Sequence, residues 1–179
     1  MKLHALRKIA EVAAVAGGWM ILAAVGVTVF EVLVRTALSF SLSGADEITG
    51  YLFAIGTAWS LAYVAIDKGH VRVDVVRQLL PQVARISLDF IGMSMLSALL
   101  GLVSWSAFKL VSESAKFGSR SVTPLNFPLV VPQTLWLIGL AFSLVTVGVL
   151  LIGGIVAATR SDFDEVERLL GQRDAEPVG

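Results

Sequence analysis

The 179-residue chain has no cysteine, two histidines and five prolines, and only 16% of its residues are charged. Without cysteine there is no disulfide framework, no thiolate metal site and no sulfur nucleophile. The charged fraction is far below the roughly one quarter usual in a soluble domain. Fourteen bases balance fourteen acids, so net charge gives no reason to expect a nucleic-acid partner. HExxH, P-loop and GxSxG patterns are all missing, and nothing else in the sequence supports an enzyme.

What is abundant is hydrocarbon. Mean hydropathy is +0.81, and the apolar residues gather into four tracts, at about 9–34, 48–66, 86–111 and 129–158. Each supplies close to the ~20 apolar residues that a helix needs to cross about 30 Å of bilayer core. The tracts lack the alternation of barrel strands, so helices are expected, because backbone groups in lipid must pair within the segment. The sequence therefore predicts an all-α membrane protein with four transmembrane helices and short interfacial amphipathic helices. The expected organisation is a membrane domain over 1–160 and a short cytoplasmic tail over 161–179. The first tract follows Lys2, Arg7 and Lys8, but it is longer than the usual 7–15 residues of a signal-peptide core and reads as a retained anchor.

Charge predicts the orientation. The N-terminal tail, the middle loop region and the C-terminal tail carry Lys2, Arg7, Lys8, Lys68, Arg72, Arg77, Arg85, Arg160, Arg168 and Arg173. The opposite side holds Arg35, Lys109, Lys116 and Arg120. The excess of positive charge places both termini in the cytoplasm.

Local signals fill in the connections. Asp46 and Glu47 open the second tract, where acids suit the positive end of a helix dipole. Gly50, Ala54, Ala58 and Ala62 recur every four residues along one face, a spacing that lets helices approach closely. Ala13/Gly17, Ala14/Gly18 and Ser97/Gly101 repeat it more weakly. These positions either close the chain's own bundle or dock another membrane protein. The polar stretch "DKGHVRVDV" follows, with Gly69 at the bend and Lys68, Arg72 and Arg77 placed for lipid headgroups. Asp74 there is expected to cap a short interfacial helix. Arg85/Asp89 and Lys109/Glu113 are spaced for pairing across a helical turn, and the third helix is expected to continue to about Gly118. Pro128 and Pro132 suit the opening of the fourth helix. Ser161 with Asp164 resembles a capping box for a C-terminal helix ending near Gly171, with Phe163, Val166, Leu169 and Leu170 as its apolar face. That face rests on lipid or on a partner.

Ionisable residues within membrane tracts are functional candidates by default. Here they are Glu11, Glu31, Asp89 and Lys109, all toward the ends of their tracts. Glu31 is expected to pair with Arg35 one turn later, or else to make an intersubunit contact. No tract has a central acid, base or histidine of the kind a self-sufficient carrier uses near the midplane. His4 and His70 lie outside the tracts, which counts against an internal haem. Asp67 and Asp74 are too few to complete a metal site with His70. No cofactor is expected.

The segment "DEITGYLFAIGTAWSLAYVAIDKGHVRVDVVRQLLP" resembles the small membrane subunit of tripartite ATP-independent periplasmic (TRAP) transporters, the DctQ-like family. The resemblance rests on Asp46, Glu47, Tyr51, Leu52, Phe53, Gly69, His70, Val71, Arg72, Val73 and Asp74. A second match, Pro128, Pro132 and Gly139, enters the fourth tract. Departures are Gly50, where the family often has arginine, Ile55, where it often has tryptophan, and Leu137, at a later proline position. The resemblance implies a scaffold-type subunit that braces a large membrane subunit, which carries the substrate and sodium sites. It also implies a periplasmic substrate-binding protein that delivers carboxylate-bearing organic acids, and a bacterial or archaeal cytoplasmic membrane. On this reading Glu31, Arg35, the motif residues and the small-residue face are candidate partner contacts, and substrate binds elsewhere than this chain. A membrane anchor for a redox complex and a stand-alone small carrier are the alternatives.

Overall fold

A computed structural model describes residues 2–67 and 81–171. Within them lie five helices: α1 (Lys2–Leu38), α2 (Ala45–Ile66), α3 (Gln82–Phe117), α4 (Val130–Thr159) and α5 (Phe163–Leu170). The first four cover the four apolar tracts and are long and apolar enough to cross a membrane. The described residues contain no strand, only an isolated antiparallel bridge between Arg120 and Pro128. The "DKGHVRVDV" turn from Lys68 onward, with Gly69, His70, Arg72, Asp74 and Arg77, lies outside the described residues.

The four long helices form a row. α1 packs on α2, α2 on α4, and α4 on α3, and no other pair of them shares an extensive contact. At one end, here the loop end, the α1–α2 and α3–α4 connections meet. The other, terminal end holds the start of α1, the end of α2, the start of α3 and α5. Arg7 of α1 reaches Asp67 at the end of α2 there, at 3.9 Å.

Close approach between helices depends on small residues, as expected where lipid is as apolar as the side chains. α1 and α2 cross at Gly17 and Gly56. A Cβ built on Gly17 would stand 2.5 Å from the Gly56 carbonyl oxygen, and one on Gly56 2.6 Å from that of Gly17. α2 and α4 meet at Ala58 and Gly139, where a Cβ on Gly139 would lie 3.0 Å from the α2 backbone. Ser143 donates to the Ala58 carbonyl at 3.1 Å, and the Trp59 indole N–H donates to the Leu135 carbonyl at 3.0 Å. The other half of the core lies between α3, α4 and α5, where Met93, Leu100, Val147 and Leu150 are buried.

α3 ends at Gly118, whose φ of 59° is the left-handed conformation that glycine adopts without penalty at a helix C-terminus. α5 has a different start from the one its sequence suggests. Asp162 is the cap, accepting from the Glu165 amide at 3.1 Å, while Ser161 takes a left-handed φ of 57° to break the chain away from α4. Its apolar face rests on the chain's own helices. Val166 and Leu170 are buried, and a Cβ on Gly154 would meet Leu170 at 2.4 Å. Phe163 alone of the four apolar residues stays exposed.

Candidate functional site

The residues singled out in sequence divide between the loop end and the middle of α2. Glu31 is buried in the last third of α1. It does not pair with Arg35, which is exposed. The Ser41 hydroxyl donates to Glu31 Oε1 at 2.9 Å and the Leu42 amide to Oε2 at 2.9 Å. The carboxylate thus fastens the α1–α2 connection by filling both oxygens with local donors, a demand that a charge at the edge of hydrocarbon makes acute.

Glu47 does the same for the second connection. Tyr51, one turn on, donates its hydroxyl to one carboxylate oxygen, and Thr123 from the α3–α4 loop donates to the other. The loop is itself knitted. Ser121 N donates to Phe127 O at 2.9 Å, Phe127 N to the Ser121 hydroxyl at 3.0 Å, and Arg120 to the Asn126 carbonyl at 3.0 Å. Apolar contacts reinforce the clasp. The Tyr51 and Phe127 rings lie 6.2 Å apart, and Leu125 occupies the space above Gly44, where a Cβ would fall 2.2 Å from it. Gly44 also has a φ of 109°, so any side chain there would be both strained and obstructed. Asp46, beside Glu47 in the same first turn, points to the exposed surface.

Pro132 is buried in the first turn of α4, where its missing amide leaves no intrahelical bond unmade. Pro128 precedes the helix, and its carbonyl accepts from the Val131 amide at 3.2 Å. Below the clasp an apolar groove of about 360 Å³ opens between α2 and α4, walled by Ile48, Leu52, Ile55, Phe127, Val131 and Leu135 among others.

The small-residue face of α2 splits along its length. Ala58 and Ala62 are buried, Ala54 is half-buried, and Gly50 is exposed with open space where a Cβ would stand. Gly18 and Gly101 likewise face open space, whereas Gly17 is consumed in the α1–α2 crossing. The Gly56/Ser60 side of α2, which makes that crossing, was not singled out from sequence, because it falls outside the four-residue repeat. Thr123 also carried no local signal, being 76 positions from its partner Glu47.

Ionisable chemistry is sparse. No group of three or more His, Asp or Glu residues suited to a metal ion occurs among the described residues. Lys109 does not pair with Glu113; its ammonium lies 5.4 Å from the centre of the Trp105 ring, a cation–π contact suited to the membrane interface.

Much apolar surface is left over, above all on α1 and α3. Only 17–33% of each span's most apolar window is buried within the chain. The arrangement is therefore a helical layer with broad apolar faces, two fastened connections and no assembled reactive centre among its described residues.

No curated protein and no solved structure matched the chain. The family described as "Tripartite ATP-independent periplasmic transporters, DctQ component" matches residues 24–157, which span α1 from Ala24 through nearly all of α4 and include both fastened connections. That match covers most of the chain and at least part of every long helix, and it agrees with a multi-pass membrane protein. The chain belongs to the DctQ family and is a TRAP transporter component, not an enzyme.

Proposed function

We propose that this chain is the scaffold-type small subunit of a sodium-driven TRAP transporter that takes up carboxylate-bearing organic acids. It braces the large membrane subunit, which holds the substrate and sodium sites, and its loop end meets the periplasmic substrate-binding protein. The orientation follows the positive-inside rule, with both termini in the cytoplasm and the Glu31 and Glu47 connections on the outer face of a bacterial or archaeal inner membrane.

The observation that carries this reading is the open row. Among the described helices α1 packs on α2 alone, and the two edge helices of the row, α1 and α3, leave broad apolar faces exposed, with Trp19, Leu22, Leu33, Leu99, Leu102 and Trp105 uncovered, so the layer has area to give to a partner. A carrier acting alone needs polar groups or broken helices at the midplane. Here the four helices run unbroken, and among the described residues their buried polar groups are the hydroxyls of Ser104, Ser114, Ser143 and Thr146 together with two carboxylates toward helix ends, Glu31 and Asp89. The fastened connections keep the loop end in one shape, as a surface meant to receive a second protein requires.

The test is purification of the tagged chain in mild detergent from its native membrane. Recovery of a larger multi-span protein in fixed ratio supports the proposal; recovery of the chain alone, under conditions that preserve other membrane complexes, contradicts it.

A further inference from the structure

A second groove, away from the loop end, has chemistry that a bracing role does not use. It is lined by Lys8, Ile9, Val12, Ala13 and Ala16 of α1 and Trp59 of α2, and encloses about 350 Å³. It exists because the row is open beside α1 and because two alanines leave the wall shallow. Trp59 forms its inner end and is held in place by the bond from its indole N–H to Leu135 of α4. From Lys8 to Ala16 the groove runs about 12 Å at 1.5 Å per residue.

Its two ends differ. Apart from Lys8 the lining is hydrocarbon and indole. Lys8 is exposed at the terminal end, and no ion pair with it occurs among the described residues, while neighbouring Arg7 turns to Asp67. A lysine near the end of a membrane helix lays its stem along apolar surface and carries its ammonium to headgroup depth. We propose that this groove binds a single anionic phospholipid, with an acyl chain against Val12, Ala16 and Trp59 and the phosphate on Lys8. Charge complementarity selects this occupant. An apolar protein segment would fill the groove and leave the ammonium unmatched, whereas a phospholipid satisfies both ends. The inference needs only that α1 and α2 span the bilayer, so it stands apart from the identity of any partner subunit.

The full chain is reconstituted in phosphatidylcholine vesicles with a trace of phosphatidylglycerol or phosphatidylcholine whose acyl chain bears a photoactivatable diazirine. Labelled peptides are then mapped by mass spectrometry. One lysine near an anionic headgroup corresponds to about a fivefold preference, so the phosphatidylglycerol probe is expected to label Val12, Ala16 and Trp59 about fivefold more than its zwitterionic counterpart. Val25 and Phe30, on the exposed surface of α1, are expected to take both probes equally. Lys8→Gln abolishes the preference without changing labelling at Val25 and Phe30, and Ala16→Phe lowers labelling of Trp59 by both probes. Equal labelling of the groove by the two lipids, or a preference that survives Lys8→Gln, overturns the proposal. So does loss of groove labelling when the chain is studied in its purified native complex, since a protein segment then occupies the site.

Discussion

Glu31 and Glu47 place two carboxylates at the margin of the hydrocarbon and give each oxygen a donor. Such bonds are charge-assisted, and removing the acceptor strands the donors as well. Glu47→Ala is expected to lower the thermal midpoint in detergent and to speed amide exchange across residues 121–127. Thr123→Val removes one of the two bonds and is expected to show the same exchange change with a smaller loss. Unaltered exchange in Glu47→Ala would show that the apolar contacts of Leu125 and Phe127 hold the loop without it. In the sequence Glu47 was legible as an acid in the first turn of a helix. Its long-range partner was not, because a threonine in a loop has no periodicity that points across 76 residues. Glu31 misled for a related reason: Arg35 has the right helical spacing, but the donors on Ser41 and Leu42 come from a connection whose path only tertiary structure fixes.

Glycines give a second test at this scale, since space rather than residue type decides their importance. Gly17→Leu drives a side chain into the Gly56 carbonyl and the Ser60 hydroxyl, and the overpacking is expected to cost about 1–3 kcal/mol. Gly50→Ala meets nothing within the chain; it is expected to change the stability of the isolated chain by about 0.5 kcal/mol or less. Thermal unfolding of the two variants in the same micelles separates them. If Gly50→Ala instead leaves the isolated chain intact but weakens recovery of the larger subunit, the upper part of the α2 face is a partner contact.

Among the elements, the long helices follow directly from tract length and composition, and their faces do not. Apolar residues surround α1 and α4 almost evenly, so no amphipathic stripe announces which side packs. α5 is the reverse case. Its apolar face was plain in sequence, yet whether it met lipid, a partner or the chain itself depended on Gly153 and Gly154, which open room on α4 for Leu169 and Leu170. The sequence points to Ser161 as its cap, but aspartate serves there equally well, and the left-handed turn at Ser161 moves the cap to Asp162. Leu170→Ala is expected to weaken docking of α5 by about 2–5 kcal/mol, with faster limited proteolysis around residues 160–162. Asp162→Ala is expected to cost about 1 kcal/mol and to loosen the same helix less. Equal protease resistance in all three proteins would mean that α5 is held by something other than this face.

The described helices of the molecule form a layer rather than a closed bundle, an arrangement that suits a member of a complex. Four unbroken apolar helices, two fastened connections at one end and an amphipathic helix folded against the other make a plate whose edge helices, α1 and α3, keep broad apolar faces uncovered. On the proposed function this plate supports transport without performing it, and uptake into proteoliposomes under an inward sodium gradient, with the substrate-binding protein outside, separates the two. No solute accumulation is expected with this chain alone, and robust accumulation is expected when the large subunit is reconstituted beside it. Sodium-dependent accumulation by this chain without the large subunit would contradict it.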